Sequence, residues 1–423
     1  MKKLYAFFES KRVGVLTRDD DDVYSFEYEK NWRDDPEAFP LSLSMPIDKE
    51  EKFGNKVTLS FFENLLPEGE VRKDLETAHK ISGVLDFLAE FGRDCAGAIT
   101  LTEHPIYQAP TGPLELIPIE MKKIHQAIKE NLSVAEVISK TGHGYLSLAG
   151  AQDKFPAVIR NGKFFLPKNG HPTTHIVKVP IWRSGVKESV YNEYYCMQLA
   201  KIVGLDIPFC QVIDGDYPLF VIERYDRRIS KTDGSVHRIH QQDLCQAQGI
   251  SSESKYESKG GPSLKQNYEF LREHVTSVHR YTNIERFLDW ICFNLVIGNN
   301  DSHSKNISLL LQQKAKYVLT PFYDLMSTAI YERLEPSFSF RIGNRDEFSK
   351  IGKNQIELLE DQLGLKRGVF KKRLQGMVDQ ILAQYKPLAD QVHEQFPKAK
   401  IIKRINRLID ARIKSLKFQK ALS

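Results

Sequence analysis

Asp301, His303, Lys305 and Asn306 crowd one short loop between an apolar helix end, Asn294–Ile297, and an apolar run, Ile307–Leu311. Loops that carry functional groups on a rigid scaffold are where sites usually sit. Asp301 and Asn306 are five positions apart. In phosphotransfer loops that spacing joins a carboxylate that accepts the acceptor hydroxyl's proton to an amide that binds Mg²⁺. A second carboxylate, Asp324, follows the strand-like Tyr317-Val318-Leu319, where a further metal ligand belongs. His303 and Lys305 flank the candidate base and can stabilise charge on a transferred phosphoryl group. The plainer reading is that Asp301 and Asn306 only form turns.

Upstream, Lys178 lies in the strand-like Thr174–Val179 between two valines. Strand side chains alternate, so Lys178 faces away from Val177 and Val179, either into a cleft as a phosphate contact or onto a solvent face. Glu193, on the next helix, is a candidate partner for it. The stretch Tyr145–Lys154 contains Ala149, Gly150 and Ala151, small enough for backbone N–H groups to approach phosphates. It has no G-x-G-x-x-G and no Walker lysine. Glu223-Arg224-Tyr225 leaves a strand where backbone groups could meet an adenine, or is simply a loop.

The elements that must hold these groups are legible in outline. Residues 3–8, 23–28, 41–45 and 56–60 read as short strands. A helical region opens at Phe61-Phe-Glu-Asn-Leu-Leu-Pro-Glu-Gly69, and Cys95–Leu101 reads as a closing strand. Pro105, Pro110 and Pro113 mark a break, and a helix is expected around 117–138. Asn161-Gly162 between apolar runs predicts a hairpin over 157–166. Residues 189–203 have helical spacing, and 209–213 with 219–223 form another hairpin. Ile284, Phe287, Leu288, Ile291 and Leu295 make one buried stripe leading to the key loop, with Thr282–Glu285 as an expected capping box. Beyond 350 the chain reads as helical. The expected architecture is α+β: a two-lobed, protein-kinase-like fold with an N-terminal α/β subdomain at 1–110, a small-lobe-like region at 115–230 and a mostly helical catalytic lobe at 231–423.

A net charge of +5 is too weak by itself to argue for nucleic-acid binding. The five cysteines are scattered without a C-x-x-C pair, which argues against a disulfide framework or a zinc site. The N-terminal residues lack a signal-peptide core, and no apolar stretch reaches membrane-spanning length. A cytoplasmic protein without a membrane partner is expected.

The sequence resembles the HipA family, serine/threonine protein kinase toxins of bacterial HipBA toxin–antitoxin modules. The likeness rests on Leu148-Ala-Gly-Ala-Gln-Asp-Lys154, Thr174-His-Ile-Val-Lys-Val-Pro180, Asn192-Glu-Tyr-Tyr195 and Val221-Ile-Glu-Arg-Tyr-Asp-Arg227. It continues through Gln242-Asp-Leu-Cys-Gln-Ala247, Lys255-Tyr-Glu-Ser258, Gly260-Gly-Pro262, Gly298–Asn306 and Tyr323-Asp-Leu325, with Phe61–Gly69 matching the N-terminal subdomain. The resemblance implies ATP and Mg²⁺ as cofactors, Asp301 as base, and Asn306 and Asp324 as metal ligands. It also implies Lys178 and the Ala149-Gly150-Ala151-Gln152-Asp153-Lys154 loop on the phosphates, Glu223, Arg224 and Tyr225 at the adenine, and inhibitory autophosphorylation at Ser147. Its implied partners are a HipB-like helix-turn-helix antitoxin, operator DNA through that complex, and a protein substrate in translation, chiefly a glutamyl-tRNA synthetase, with growth arrest and persistence as the outcome. Ser302 and Ser304 stand where relatives often have Gly and Ala. Two other readings remain: a small-molecule or lipid kinase, and a non-catalytic co-repressor whose basic helix at 400–417 faces DNA.

Overall fold

The computed structural model describes residues 1–48, 52–111, 114–140, 149–182, 185–313 and 316–422. Two units are present, and each draws on separate stretches of chain. The first comprises Met1–Val179, Val221–Ser252 and Ser308–Tyr317. The second comprises Pro180–Phe220, Glu253–Ile307 and Val318–Ser423. The chain is α+β and two-lobed.

In the first unit, one antiparallel sheet has the strand order Lys52–Phe53, Tyr24–Tyr28, Lys11–Arg18, Lys2–Phe8, Ile99–Thr102. Its register breaks between Ala6 and Phe7: Ala6 pairs with Gly14 and Phe7 with Arg12. The extra residue, Val13, makes a bulge in strand Lys11–Arg18, where the consecutive Val13 and Gly14 are both buried. Helices Asn55–Phe62 and Gly83–Phe91 contribute Phe61, Phe62, Phe87 and Phe91 to the same core as Phe26 and Trp32. Each such side chain contributes about 1.5–3 kcal/mol on full burial.

Several local expectations are corrected here. Lys56–Ser60 is helical, because its buried residues Thr58, Ser60, Phe61 and Phe62 follow a helical face rather than a strand's alternation. Leu41–Met45 holds only an isolated bridge, Ser42 to Met45. The expected helix at 117–138 is a short strand, Leu116–Pro118, followed by helices Met121–Lys129 and Val134–Ser139.

The first unit's other main sheet runs Leu219–Glu223, His175–Lys178, Lys154–Arg160, Lys163–Pro167, Leu116–Pro118. The Asn161-Gly162 turn forms as expected, with Arg160 registered on Lys163. The Gln242–Ala247 motif has a structural task in this unit. Gln242 accepts from the Leu43 amide at 2.9 Å, and Gln246 donates to the Phe61 carbonyl at 3.0 Å.

A buried charge cluster ties residues 94–97 to residues 224–238 within this unit. Arg224 donates to Asp94 at 3.1 Å and to Asp226 at 2.9 Å. Arg227 contacts the same two carboxylates at 2.9 and 2.8 Å, and Arg238 reaches Asp94 at 3.4 Å. Burial alone would raise the Asp94 carboxyl, but Arg224, Arg227 and Arg238 hold it below the usual range.

The second unit is mainly helical. Helices Ser189–Ile202, Leu264–His274, Arg280–Ile297, Lys353–Gln362, Val369–Gln395 and Ile401–Phe418 surround a core that includes Phe287, Trp290, Ile291, Leu295, Leu374 and Ile409. The helix before the key loop begins at Arg280, so Thr282–Glu285 lies inside it and caps nothing. Capping boxes form instead at Ser263 and Gln266, where the preceding helix Leu264–His274 starts, and at Asp243 and Gln246. All five cysteines are buried free thiols. Among the described residues, no helix is long and apolar enough to cross a membrane.

Candidate active site

Helix Arg280–Ile297 must stop sharply to present the loop, and Gly298 stops it in the left-handed region at φ 75°. A Cβ there would meet Leu408, Ala329 and Arg412, so both conformation and space require glycine. Asn299 and Asn300, polar but buried, are scaffold. Asn299 donates to the Asn294 amide oxygen at 2.8 Å and to the Asp324 carbonyl at 3.1 Å, linking the loop to the second carboxylate's backbone. The Asn300 amide N–H donates to Thr328 Oγ1 at 2.7 Å, while its carbonyl accepts from Ser339 N–H at 3.0 Å and Oγ at 2.7 Å.

Arg412 completes the support from below. It is buried, donates to the Leu295 carbonyl at 2.8 Å, approaches Asn300 Oδ1 at 3.4 Å, and lies 4.2 Å from the Phe348 ring centroid. Burial lowers its guanidinium to about 9. Arg412 therefore serves the interior, which corrects its place in the basic face expected over 400–417. Lys403, Arg407, Lys414 and Lys417 of that helix are exposed.

On this frame Asp301 projects outward with its side chain 55% exposed. Its Oδ1 accepts the Tyr256 hydroxyl at 2.6 Å, and His303 Nε2 stands 3.8 Å from the same oxygen. Asn306 donates its amide N–H to the Asp301 carbonyl at 2.8 Å, which leaves its amide oxygen as the acceptor. Lys305 is buried, and its carbonyl accepts the Tyr323 hydroxyl at 2.9 Å. Ser302 and Ser304 are both fixed in place: Ser302 donates to the Asn299 carbonyl at 3.0 Å, and Ser304 accepts from Asn267 at 3.0 Å. Asp324 sits at φ 54°, a left-handed conformation uncommon for a non-glycine residue and enriched at functional sites. The segment before it is held by Arg286, which donates to the carbonyls of Leu319 at 3.0 Å and Thr320 at 2.8 Å. Asp301, Asn306 and Asp324 are thus built into one frame within the second unit. Oxygen donors of this kind, a carboxylate and an amide, suit Mg²⁺.

The phosphate-loop candidates and Lys178 lie in the first unit. Lys178 is 5% exposed, which removes the solvent-face reading. It is registered directly on Lys154 of the neighbouring antiparallel strand. Directly opposed residues share a face, and like charges there repel unless an anion or carboxylate intervenes. Gln152 donates to the Val179 carbonyl at 3.0 Å, and the Gly150 carbonyl accepts from Glu68 N–H at 3.0 Å. Ala149 is half-buried and Ala151 exposed. Asp153 accepts from the amides of Val134 at 2.7 Å and Ala135 at 3.1 Å, so it caps helix Val134–Ser139. Burial pushes its carboxyl up to about 6, those hydrogen bonds opposing the shift. Glu223 is exposed and Tyr225 half-buried, its hydroxyl donating to Gln241. The Arg224 side chain belongs to the buried charge cluster, and its amide donates to the Thr174 carbonyl at 2.9 Å. Ser147 lies outside the described residues. Among the described residues no cluster of three or more His, Cys, Asp or Glu side chains forms a metal site.

Residues 146–385 match the HipA-like C-terminal domain, and residues 4–102 match the HipA N-terminal domain. The chain belongs to the HipA family. It is 36% identical over 386 residues to the Sinorhizobium fredii protein named "Putative kinase Y4mE", spanning 90% of each chain. It is 30% identical over 370 residues to the "Serine/threonine-protein kinase toxin HipA" of Shewanella oneidensis, covering 84% of this chain and 81% of that one. Among solved structures, it resembles the Shewanella oneidensis MR-1 toxin–antitoxin complex of HipA, HipB and operator DNA. That match has a TM-score of 0.82 and 26% identity, over 98% of this chain and 97% of that one.

Sequence reasoning missed Tyr256 and Arg412 as parts of this frame. Tyr256 lies inside the Lys255-Tyr-Glu-Ser258 motif, but nothing in the linear spacing joins it to Asp301.

Proposed function

We propose that this chain is a serine/threonine protein kinase toxin that transfers the γ-phosphate of ATP to a protein hydroxyl. The observation that carries the reading is the Asp301–Asn306 arrangement: an outward carboxylate whose own backbone carbonyl orients the neighbouring amide at 2.8 Å. Asp301 takes the acceptor's proton. Asn306 and Asp324 hold Mg²⁺, which when bound neutralises charge on the phosphates. His303 and Lys305 support the base loop. Lys178 and Lys154, facing one another across two strands, contact the phosphates, with Ala149–Asp153 as the covering loop and Glu223 and Tyr225 at the adenine. In this reading residues 1–110 form the N-terminal subdomain, 115–230 the nucleotide-binding region and 231–423 the catalytic lobe, in a cytoplasmic protein.

Family membership supports the finer parts of the proposal: a HipB-like antitoxin as partner, operator DNA reached through that complex, a translation factor such as a glutamyl-tRNA synthetase as substrate, and self-inactivation at Ser147. Phosphorylation adds about −1.5 to −2 charge, which beside a phosphate-binding loop would repel ATP. The exposed Lys403, Arg407, Lys414 and Lys417 favour a second reading in which the chain also acts as co-repressor.

The test is the intact mass of phosphatase-treated protein after incubation with Mg²⁺ and ATP, beside Asp301→Asn, with the modified peptide mapped. One phosphate at Ser147 in the unaltered protein alone is expected. Equal phosphorylation of both proteins would contradict the reading.

A further inference from the structure

The stretch Lys255-Tyr-Glu-Ser-Lys-Gly-Gly-Pro262 has no part in the nucleotide and metal roles above, yet it reaches the candidate base. Tyr256 donates its hydroxyl to Asp301 Oδ1 at 2.6 Å, within the range of a charge-assisted O–H···O⁻ bond. The contact is held from several sides. The Tyr256 ring stands edge-on to His303, with centroids 5.2 Å apart and an interplanar angle of 84°. Lys255 and Lys259 place their ammonium groups 5.5 and 5.4 Å from the same ring centroid.

The backbone fixes the segment as well. Glu257 N–H donates to the Ser339 carbonyl at 3.1 Å, and the Glu257 carboxylate accepts from Arg341 N–H at 2.8 Å. Ser339 in turn donates to the carbonyl of Asn300, the residue before the base. The Tyr256 carbonyl accepts from Lys259 N–H at 3.0 Å and Gly261 N–H at 2.9 Å. A Cβ on Gly261 would collide with the Ser254 carbonyl oxygen and come within 2.8 Å of that of Tyr256. The double glycine is therefore what lets the chain turn tightly enough to aim the tyrosine.

We infer that Tyr256 is a positioning residue of the phosphotransfer site, fixing Oδ1 of Asp301 so that Oδ2 takes the proton of the acceptor hydroxyl. An outward aspartate with no such contact rotates among staggered positions. One held by a donor stays in the orientation that proton transfer requires, and geometry of this kind governs the efficiency of a general base. The inference rests on the kinase reading of Asp301.

The experiment compares the full chain, Tyr256→Phe and Asp301→Asn with Mg²⁺ and γ-labelled ATP, scoring loss of the γ-phosphate to protein and water together. Tyr256→Phe removes one oxygen and keeps the ring against His303. At saturating ATP its rate should fall by about tenfold, the scale of one hydrogen bond made to a reacting group. Its KM for ATP and its thermal midpoint should match the unaltered protein, whereas a purely structural role would lower the midpoint and disturb KM. An undiminished rate in Tyr256→Phe, with Asp301→Asn inactive, overturns this inference alone. A faster rate also overturns it and makes Tyr256 a block that occupies the acceptor's place. No transfer by the unaltered protein overturns the kinase reading and this inference with it.

Discussion

Asn306 and Asp301 are joined through the backbone of one and the side chain of the other: the Asn306 amide N–H meets the Asp301 carbonyl at 2.8 Å. The bond orients an amide oxygen without consuming the Asp301 carboxylate, so base and metal ligand are set by the same turn. Asn306→Ala should therefore cut phosphotransfer by about a hundredfold, the scale of losing one preorganised polar group. A Mg²⁺ titration of the rate should also show a higher half-saturating concentration. A wild-type titration curve in that variant would place the metal elsewhere.

Arg412 is the loop's support from the terminal helix. Arg412→Met keeps the apolar stem against Phe338 and Phe348 but leaves the Leu295 carbonyl without its donor. A buried acceptor stripped of its partner costs about 1–3 kcal/mol. Urea unfolding should register that loss, and phosphotransfer should fall with it because Asn300 Oδ1 loses its Arg412 contact. Arg412→Lys should recover part of both. An unchanged urea midpoint in Arg412→Met would show that the contact carries no stability.

Asp94 is the carboxylate on which three arginines converge. Asp94→Ala leaves Arg224, Arg227 and Arg238 with only Asp226 among them, and breaking a buried ion cluster costs about 3–5 kcal/mol. The unfolding midpoint of the first unit should drop accordingly. Because the carboxyl is held below its usual range, the cluster's contribution is fully present above the ordinary aspartate range. It is lost as pH falls through the depressed value.

Asp153 carries the opposite sign. Its carboxyl titrates near 6 in the fold, above the unfolded value of 3.8, so the folded chain binds the extra proton between those limits. Stability from this group thus falls as pH rises from about 4 to about 6. The difference in unfolding free energy between the unaltered protein and Asp153→Asn should shift toward the unaltered protein as pH is lowered from 7 to 5. A pH-independent difference would contradict the assignment.

What the sequence shows well is what short-range chemistry dictates. The Asn161-Gly162 hairpin, the apolar stripe through Phe287 and Ile291, and the polar loop beginning at Gly298 all follow from spacing and turn residues. Lys56–Ser60 has the apolar alternation of a strand at Val57 and Leu59, yet it is a helix that buries the intervening Thr58 and Ser60. Strand Lys11–Arg18 went unread, although it lies at the centre of its sheet, between Tyr24–Tyr28 and Lys2–Phe8. The buried Arg224–Asp94 pair is not legible in the sequence because the two residues are far apart along the chain. Tyr256 was hidden for the same reason: the loop that aims it is local, but the carboxylate it meets is not.

The most direct test of the central claim is a single-turnover measurement of γ-phosphate loss from ATP with Mg²⁺, comparing the unaltered chain with Asp301→Asn at matched nucleotide occupancy. If Asp301 is the base, the variant binds ATP with unchanged affinity and its rate falls by about a hundredfold to ten-thousandfold, the contribution of general base catalysis. Equal rates in the two proteins would contradict the account.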